Sequence, residues 1–172
     1  TFAVEATIST LLPRDGKLLV LVNGAYGHRI ASICSYLGRA CQVLETTEDT
    51  PTDVAALDRL LSEDDAISHV AAIHCETTSG ILNPMVEVAG CVQRHGRSLI
   101  IDAMSALGAL PLEDTSAPFD AVVASSNKCL EGVPGIGFAV IRKDVLEGCK
   151  GNCHSLSLDL YEQWRGLEGS GQ

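Results

Sequence analysis

The chain has 172 residues, 46% of them hydrophobic and 20% charged, with a formal net charge of -10. That length fits one hydrophobic core of ordinary domain size, and the composition excludes a disordered tail. The acidic balance repels phosphate backbones and anionic lipid, so nucleic acid and membrane surfaces are not expected as partners.

In chain order, an apolar helical pattern runs over 2–12 and is ended by Pro13 and a turn at Asp15 and Gly16. A continuous apolar run then predicts a strand over 18–22. Helix and strand signals alternate after it: helix 26–37, strand 41–44, helix 53–61, strand 69–74, helix 84–95, and strands 98–101, 120–124 and 138–141. Strands that are apolar throughout indicate cover on both faces, which parallel sheets require, so the class is α/β with helices flanking the sheet. Residues 112–119 read as a polar loop, and 167–172 as neither helix nor strand. With Thr1 opening directly into a helix and no closing element at the far end, the pattern is that of a piece of a longer chain. No apolar run reaches the roughly 18 residues of a membrane span, and no leader is expected.

The seven cysteines, Cys34, Cys41, Cys75, Cys91, Cys129, Cys149 and Cys153, are odd in number and irregularly spaced, and several lie in apolar runs. This suits small buried thiols in a reducing, cytoplasmic compartment. Cys149, Cys153 and His154 come nearest to a metal signature, but no second pair completes a four-ligand set, so no metal is expected.

In open parallel sheets ligands bind beyond the carboxyl ends of the strands, and unusual polar residues stand there. After the strand 120–124 come Ser125, Ser126, Asn127 and Lys128, followed by a glycine-rich stretch to Gly137. A lysine at the mouth of a buried strand would be desolvated, which lowers its pKa and frees an amine for Schiff-base chemistry, although a lone loop lysine is usually just exposed. Asp102 ends the preceding strand, where a carboxylate could hold a protonated pyridine nitrogen, cap the next turn, or do both. In the run 74–80, which opens on His74, Thr77, Thr78 and Ser79 offer hydroxyls for a phenolic or carboxylate oxygen, or simple turn chemistry. Tyr26, between Gly24 and Gly27, offers a stacking face or core filling.

Together with residues 23–29, 74–84, 101–105, 126–138 and 155–164, these features resemble the large domain of a fold-type I pyridoxal-phosphate enzyme of the class V aminotransferase family. The resemblance covers nearly the whole chain. It implies a mostly parallel sheet flanked by helices and incomplete at both ends. Residues 1–150 would form the cofactor-binding large domain, and 151–172 the start of a connection towards a small domain. It implies pyridoxal 5'-phosphate as cofactor, a small-molecule amino donor, a keto acid acceptor and a cytoplasmic homodimer. Position by position, it implies that Lys128 carries the cofactor, Asp102 pairs with the pyridine nitrogen and Tyr26 stacks on the ring. Thr77 would contact the ring oxygen, Asn127 would lie near the phosphate, and Thr1 would be the last residue of the phosphate-binding turn. His28 receives no role. A cysteine desulfurase would need a mobile reactive cysteine, which Cys129 beside the lysine does not match. A noncatalytic domain or an inactive piece on the same scaffold is the alternative of another class, told apart by cofactor retention. Taken alone, the piece is expected to be inactive.

Overall fold

The computed structural model describes residues 1–112 and 117–170. The elements are α1 (Phe2–Leu11), β1 (Lys17–Val22), α2 (Ala25–Tyr36), β2 (Ala40–Glu45), α3 (Val54–Glu63), β3 (Ile67–Ile73), α4 (Met85–Arg94), β4 (Ser98–Asp102), β5 (Ala121–Ser125), β6 (Gly137–Ile141), α5 (Lys143–Glu147) and α6 (Leu160–Ser170). The strands form one sheet in the order β2-β1-β3-β4-β5-β6. All neighbours run parallel except β5 and β6, which are antiparallel. The mostly parallel α/β architecture is therefore as expected, with one antiparallel edge.

β1 shows why its sequence is an unbroken apolar run. Leu18, Val20 and Val22 point to one face, where they meet Val4, Ile8 and Leu12 of the α1 region and Ile30 and Ile33 of α2. Leu19 and Leu21 point to the other, against Leu57 and Leu61 of α3 and Val88 and Val92 of α4. Each fully buried side chain of this kind contributes about 1.5–3 kcal/mol by leaving water. Pro13 then ends the helical segment, having no N–H with which to continue it.

The edges depart from the expectation of strands covered on both faces. β2 is largely exposed, and β6 has no buried residue. Two helices were not foreseen. α5 is a single turn, and α6 runs through residues expected to be irregular, at 167–170. Gly166 and Gly169 weaken its helical signal. Tertiary contacts supply what propensity does not: Leu160, Tyr161 and Trp164 pack on Leu11, Ile100, Ala121 and Leu146. The Leu160 N–H also donates to Thr10 Oγ1 at 3.1 Å. Of the expected loop 112–119, residues 113–116 lie outside the described residues, as do 171–172.

His69 on β3 is buried, with Nδ1 2.8 Å from Ser68 Oγ. Burial lowers its pKa to about 4, against partial opposition from the nearby Asp120. The unfolded chain, whose histidine titrates near 6.5, takes up a proton that the folded state refuses. The stability tied to this neutral histidine is thus complete above about pH 6.5 and is lost as pH falls towards 4, by on the order of 3 kcal/mol. Urea denaturation of the parent and of His69→Gln is expected to show a gap that changes by that amount between pH 7 and 4. A gap independent of pH would show that His69 takes up its proton in the fold as readily as in the unfolded chain.

Candidate active site

The chain passes from β1 to β2 on one side of the sheet and then returns to β3 on the other, so the connections after β1 and β3 diverge. Such a switch point opens a crevice at the carboxyl edge of the sheet. There, on the α1 and α2 side, lies a cleft of about 450 Å³. Its wall brings together Thr1, Tyr26, Thr77, Asp102, Asn127 and Lys128, the six residues to which the family resemblance gives a place around the cofactor. A volume of that size falls in the usual range for small-molecule and cofactor sites.

Asp102 is 5% exposed at the end of β4, and its Oδ1 accepts from the Met104 N–H at 3.0 Å. Its capping role is therefore real and coexists with a place in the cleft wall. Burial pushes its pKa up to about 6, with the Met104 N–H pulling the other way and Glu76 adding to the rise. A carboxylate destabilised in this way is suited to a cationic partner, such as a protonated ring nitrogen.

Lys128 follows β5 in a loop that is strapped back on itself. The Gly132 N–H donates to Ser126 O at 2.7 Å, the Glu131 N–H to Lys128 O at 2.9 Å, and the Ser126 N–H to Ile136 O at 3.1 Å. Gly135, at φ 107, supplies a backbone conformation that only glycine adopts easily. Lys128 is exposed, as is Asn127, so the desolvation expected of the lysine is not found in this structure. Its distinction is positional: of the four lysines, Lys17, Lys128, Lys143 and Lys150, it alone lines the cleft.

Tyr26 is half-buried in the first turn of α2, with the Arg29 guanidinium 4.8 Å from its ring centre. Arg29 Nη1 donates to Thr1 Oγ1 at 3.3 Å. Arg29 stands one helical turn after Tyr26, a spacing visible in the sequence, but no expectation above rests on it. Arg29, Lys128 and the N-terminus of α1 make the cleft locally cationic in an acidic chain, which suits an anionic ligand group. Thr77 Oγ1 is 2.7 Å from Ser105 Oγ, which fixes the hydroxyl at the cleft rim. His28 lies outside the cleft, paired with Glu45 at 3.2 Å, and His74 is buried but does not line it.

A buried amide cluster supports the crevice. Asn83 Nδ2 donates to Ile73 O at 2.8 Å, and its Oδ1 accepts from Asn23 Nδ2 at 2.9 Å and from the Thr52 N–H at 3.0 Å. The residues joined are far apart in sequence, and no local signal marks them. Cys149 and Cys153 are occupied by hydrogen bonds, Cys149 donating to Val145 O and Cys153 meeting Ser9 Oγ. Among the described residues, the group with metal-ligand chemistry is elsewhere: Asp58, Cys91 and His95, between α3 and α4. Asp58 Oδ1 is there already shared by His95 Nε2 and Arg94 Nη2. No described helix is long and apolar enough to cross a membrane.

The residues fit pyridoxal phosphate: a buried acid for the ring nitrogen, an aromatic wall, a lysine at the rim and a cationic end for the phosphate. A protein of Pseudomonas putida called 2-aminoethylphosphonate--pyruvate transaminase is 58% identical over all 172 residues, which correspond to 47% of its length. The protein of the same name from Pseudomonas aeruginosa is 57% identical over the whole chain, covering 46% of its own. The chain thus spans about half the length of the curated relatives it matches. Among solved structures, pyridoxamine-pyruvate aminotransferase from Mesorhizobium loti superposes with a TM-score of 0.82 at 26% identity, covering 92% of this chain and 39% of that one. Ureidoglycine-glyoxylate aminotransferase from Bacillus subtilis shares the fold with a TM-score of 0.88 at 20% identity, over 96% and 43% of the two chains. The model of the aminotransferase class-V family matches residues 2–156. With the fold, the cleft and this match in agreement, the chain belongs to the class-V aminotransferases.

Proposed function

We propose that this chain is the cofactor-binding part of a transaminase that moves the amino group of 2-aminoethylphosphonate to pyruvate, giving phosphonoacetaldehyde and L-alanine. The observation that carries the reading is the convergence of Lys128, Asp102, Tyr26, Thr77, Asn127 and Thr1 on one cleft, in a chain 58% identical to relatives of that activity. Pyridoxal phosphate bound there would supply an electron sink for the carbon that loses its proton. Lys128 would hold the group and move the proton at its Nζ, and Asp102 would keep a proton on the ring nitrogen. Tyr26 would fix the ring plane, with Thr77 on the ring oxygen and Asn127 and Thr1 on the phosphate side.

Residues 1–150 are assigned to the cofactor-binding unit and 151–172 to the connection leading out of it. The protein works in phosphonate breakdown, as a homodimer in the cytoplasm. Leu130, Val133 and Ile136, exposed on the loop after Lys128, support a partner subunit against this rim. The seven free cysteines suit the compartment.

The test is L-alanine formation from 2-aminoethylphosphonate and pyruvate by the purified full-length protein that contains this chain, beside a parallel assay with L-alanine and glyoxylate. Turnover with the phosphonate is expected. Turnover with alanine and glyoxylate, and none with the phosphonate, would move the protein to another transaminase specificity.

A further inference from the structure

A carboxylate behind the cleft has no part in the chemistry proposed above. Glu76, just after β3, is fully buried. Its Oε2 accepts from the Tyr26 and Gly27 N–H groups at 3.2 and 3.4 Å. Its Oε1 accepts from the Thr78 N–H at 3.1 Å and the Thr78 hydroxyl at 2.9 Å. Thr78 Oγ1 in turn accepts from the Ala25 N–H at 3.3 Å. The residue before α2 is Gly24, whose lack of a side chain leaves the helix without a cap of its own. The first three amides of α2 are thus satisfied from a loop about 50 residues further along the chain, and the negative charge sits at the positive end of the helix dipole. The fit is close: a Cβ at Gly24 would lie 2.4 Å from Glu76 Cγ.

We infer that Glu76 is a positioning residue, which clamps the first turn of α2 so that the Tyr26 ring stands fixed in the cleft wall. It does not line the cleft and acts through Tyr26. Charge-assisted bonds to backbone amides are about twice as strong as neutral ones, so this clamp holds Tyr26 more firmly than an ordinary helix start would. The inference rests on the proposed function in one respect: the ligand against Tyr26 is taken to be pyridoxal phosphate.

The experiment is a double-mutant cycle on cofactor affinity. Pyridoxal phosphate is titrated into the cofactor-free parent, Glu76→Gln, Tyr26→Ala and the double variant, and the near-ultraviolet circular dichroism of the bound cofactor is recorded for each. Glu76→Gln keeps the shape but turns a donor towards Thr78. It is expected to weaken binding by about tenfold and to reduce the dichroic band. In the Tyr26→Ala background the same change is expected to cost less than about twofold, because the residue through which it acts is gone. Gly24→Ala, which pushes Glu76 away without altering it, should repeat the loss and its dependence on Tyr26.

Equal losses in both backgrounds would make Glu76 a general structural residue and overturn the inference. Unchanged affinity in Glu76→Gln would do the same, as would failure of both Glu76→Gln and Gly24→Ala to fold, which would assign the clamp to folding alone. A parent that binds no pyridoxal phosphate overturns the proposed function and this inference with it. A parent that binds it with uncoupled variants overturns only the inference.

Discussion

Lys128→Ala is expected to reduce transamination by more than about 10³-fold while leaving the fold intact. The side chain is exposed and makes no contact on which the core depends, so melting of the cofactor-free variant should match the parent. The loss comes from removing both the covalent attachment and the proton carrier, and no other lysine can replace it. Lys17 lies at the start of β1 beside Asp64, and Lys143, on α5, is 5.7 Å from the Trp164 ring of α6, away from the cleft. Lys128→Arg keeps the charge but lacks a usable amine and should be as inactive. Activity in either variant within tenfold of the parent would place the reactive amine elsewhere.

Asp102→Asn is expected to move stability and activity in opposite directions. In the cofactor-free protein the folded pKa of Asp102 is about 6, above its ordinary value. A raised acid pKa means that the charged form is penalised on folding. The penalty is absent below about pH 3.8 and complete above about pH 6, where it reaches on the order of 3 kcal/mol. The asparagine keeps an oxygen for the Met104 N–H and removes the charge. The cofactor-free variant should therefore unfold at higher urea concentration than the parent at pH 7.5, with the difference vanishing near pH 4. Its activity should fall by about 100-fold or more, equivalent to about 2.7 kcal/mol of barrier, for want of the charge that holds a proton on the ring nitrogen. If Asp102 were only a cap, the substitution would leave activity within about threefold.

The elements and the cleft were not equally legible in the sequence. Apolar runs such as 18–22 and 98–101 mark strands covered on both faces, and polar residues at their carboxyl ends mark the cleft, because burial makes those residue types unusual there. That logic located Lys128, Asp102 and Tyr26. It did not reach the role of Glu76, whose partners are Tyr26 and Gly27 on another element, nor the bonding of Asn23, Thr52 and Asn83, since both depend on pairings that only the folded chain brings together. α6 escaped because its helix is sustained by Trp164 and Tyr161 packing on Leu11, Ile100, Ala121 and Leu146 and not by propensity. The exposure of Lys128 differs from expectation because the loop after it folds back through Ser126 and Gly132, leaving the lysine at the rim of the cleft.

The central claim is that the cleft at the carboxyl edge of the sheet holds pyridoxal phosphate on Lys128. Borohydride reduction of the holoenzyme, followed by proteolysis and mass mapping, tests it directly by fixing the cofactor to the amine that carries it. The modified peptide is expected to contain Ser126, Asn127 and Lys128, with the added mass on Lys128 and none on Lys17, Lys143 or Lys150. Modification of any of those three with Lys128 unlabelled, or no labelled peptide at all, would contradict it.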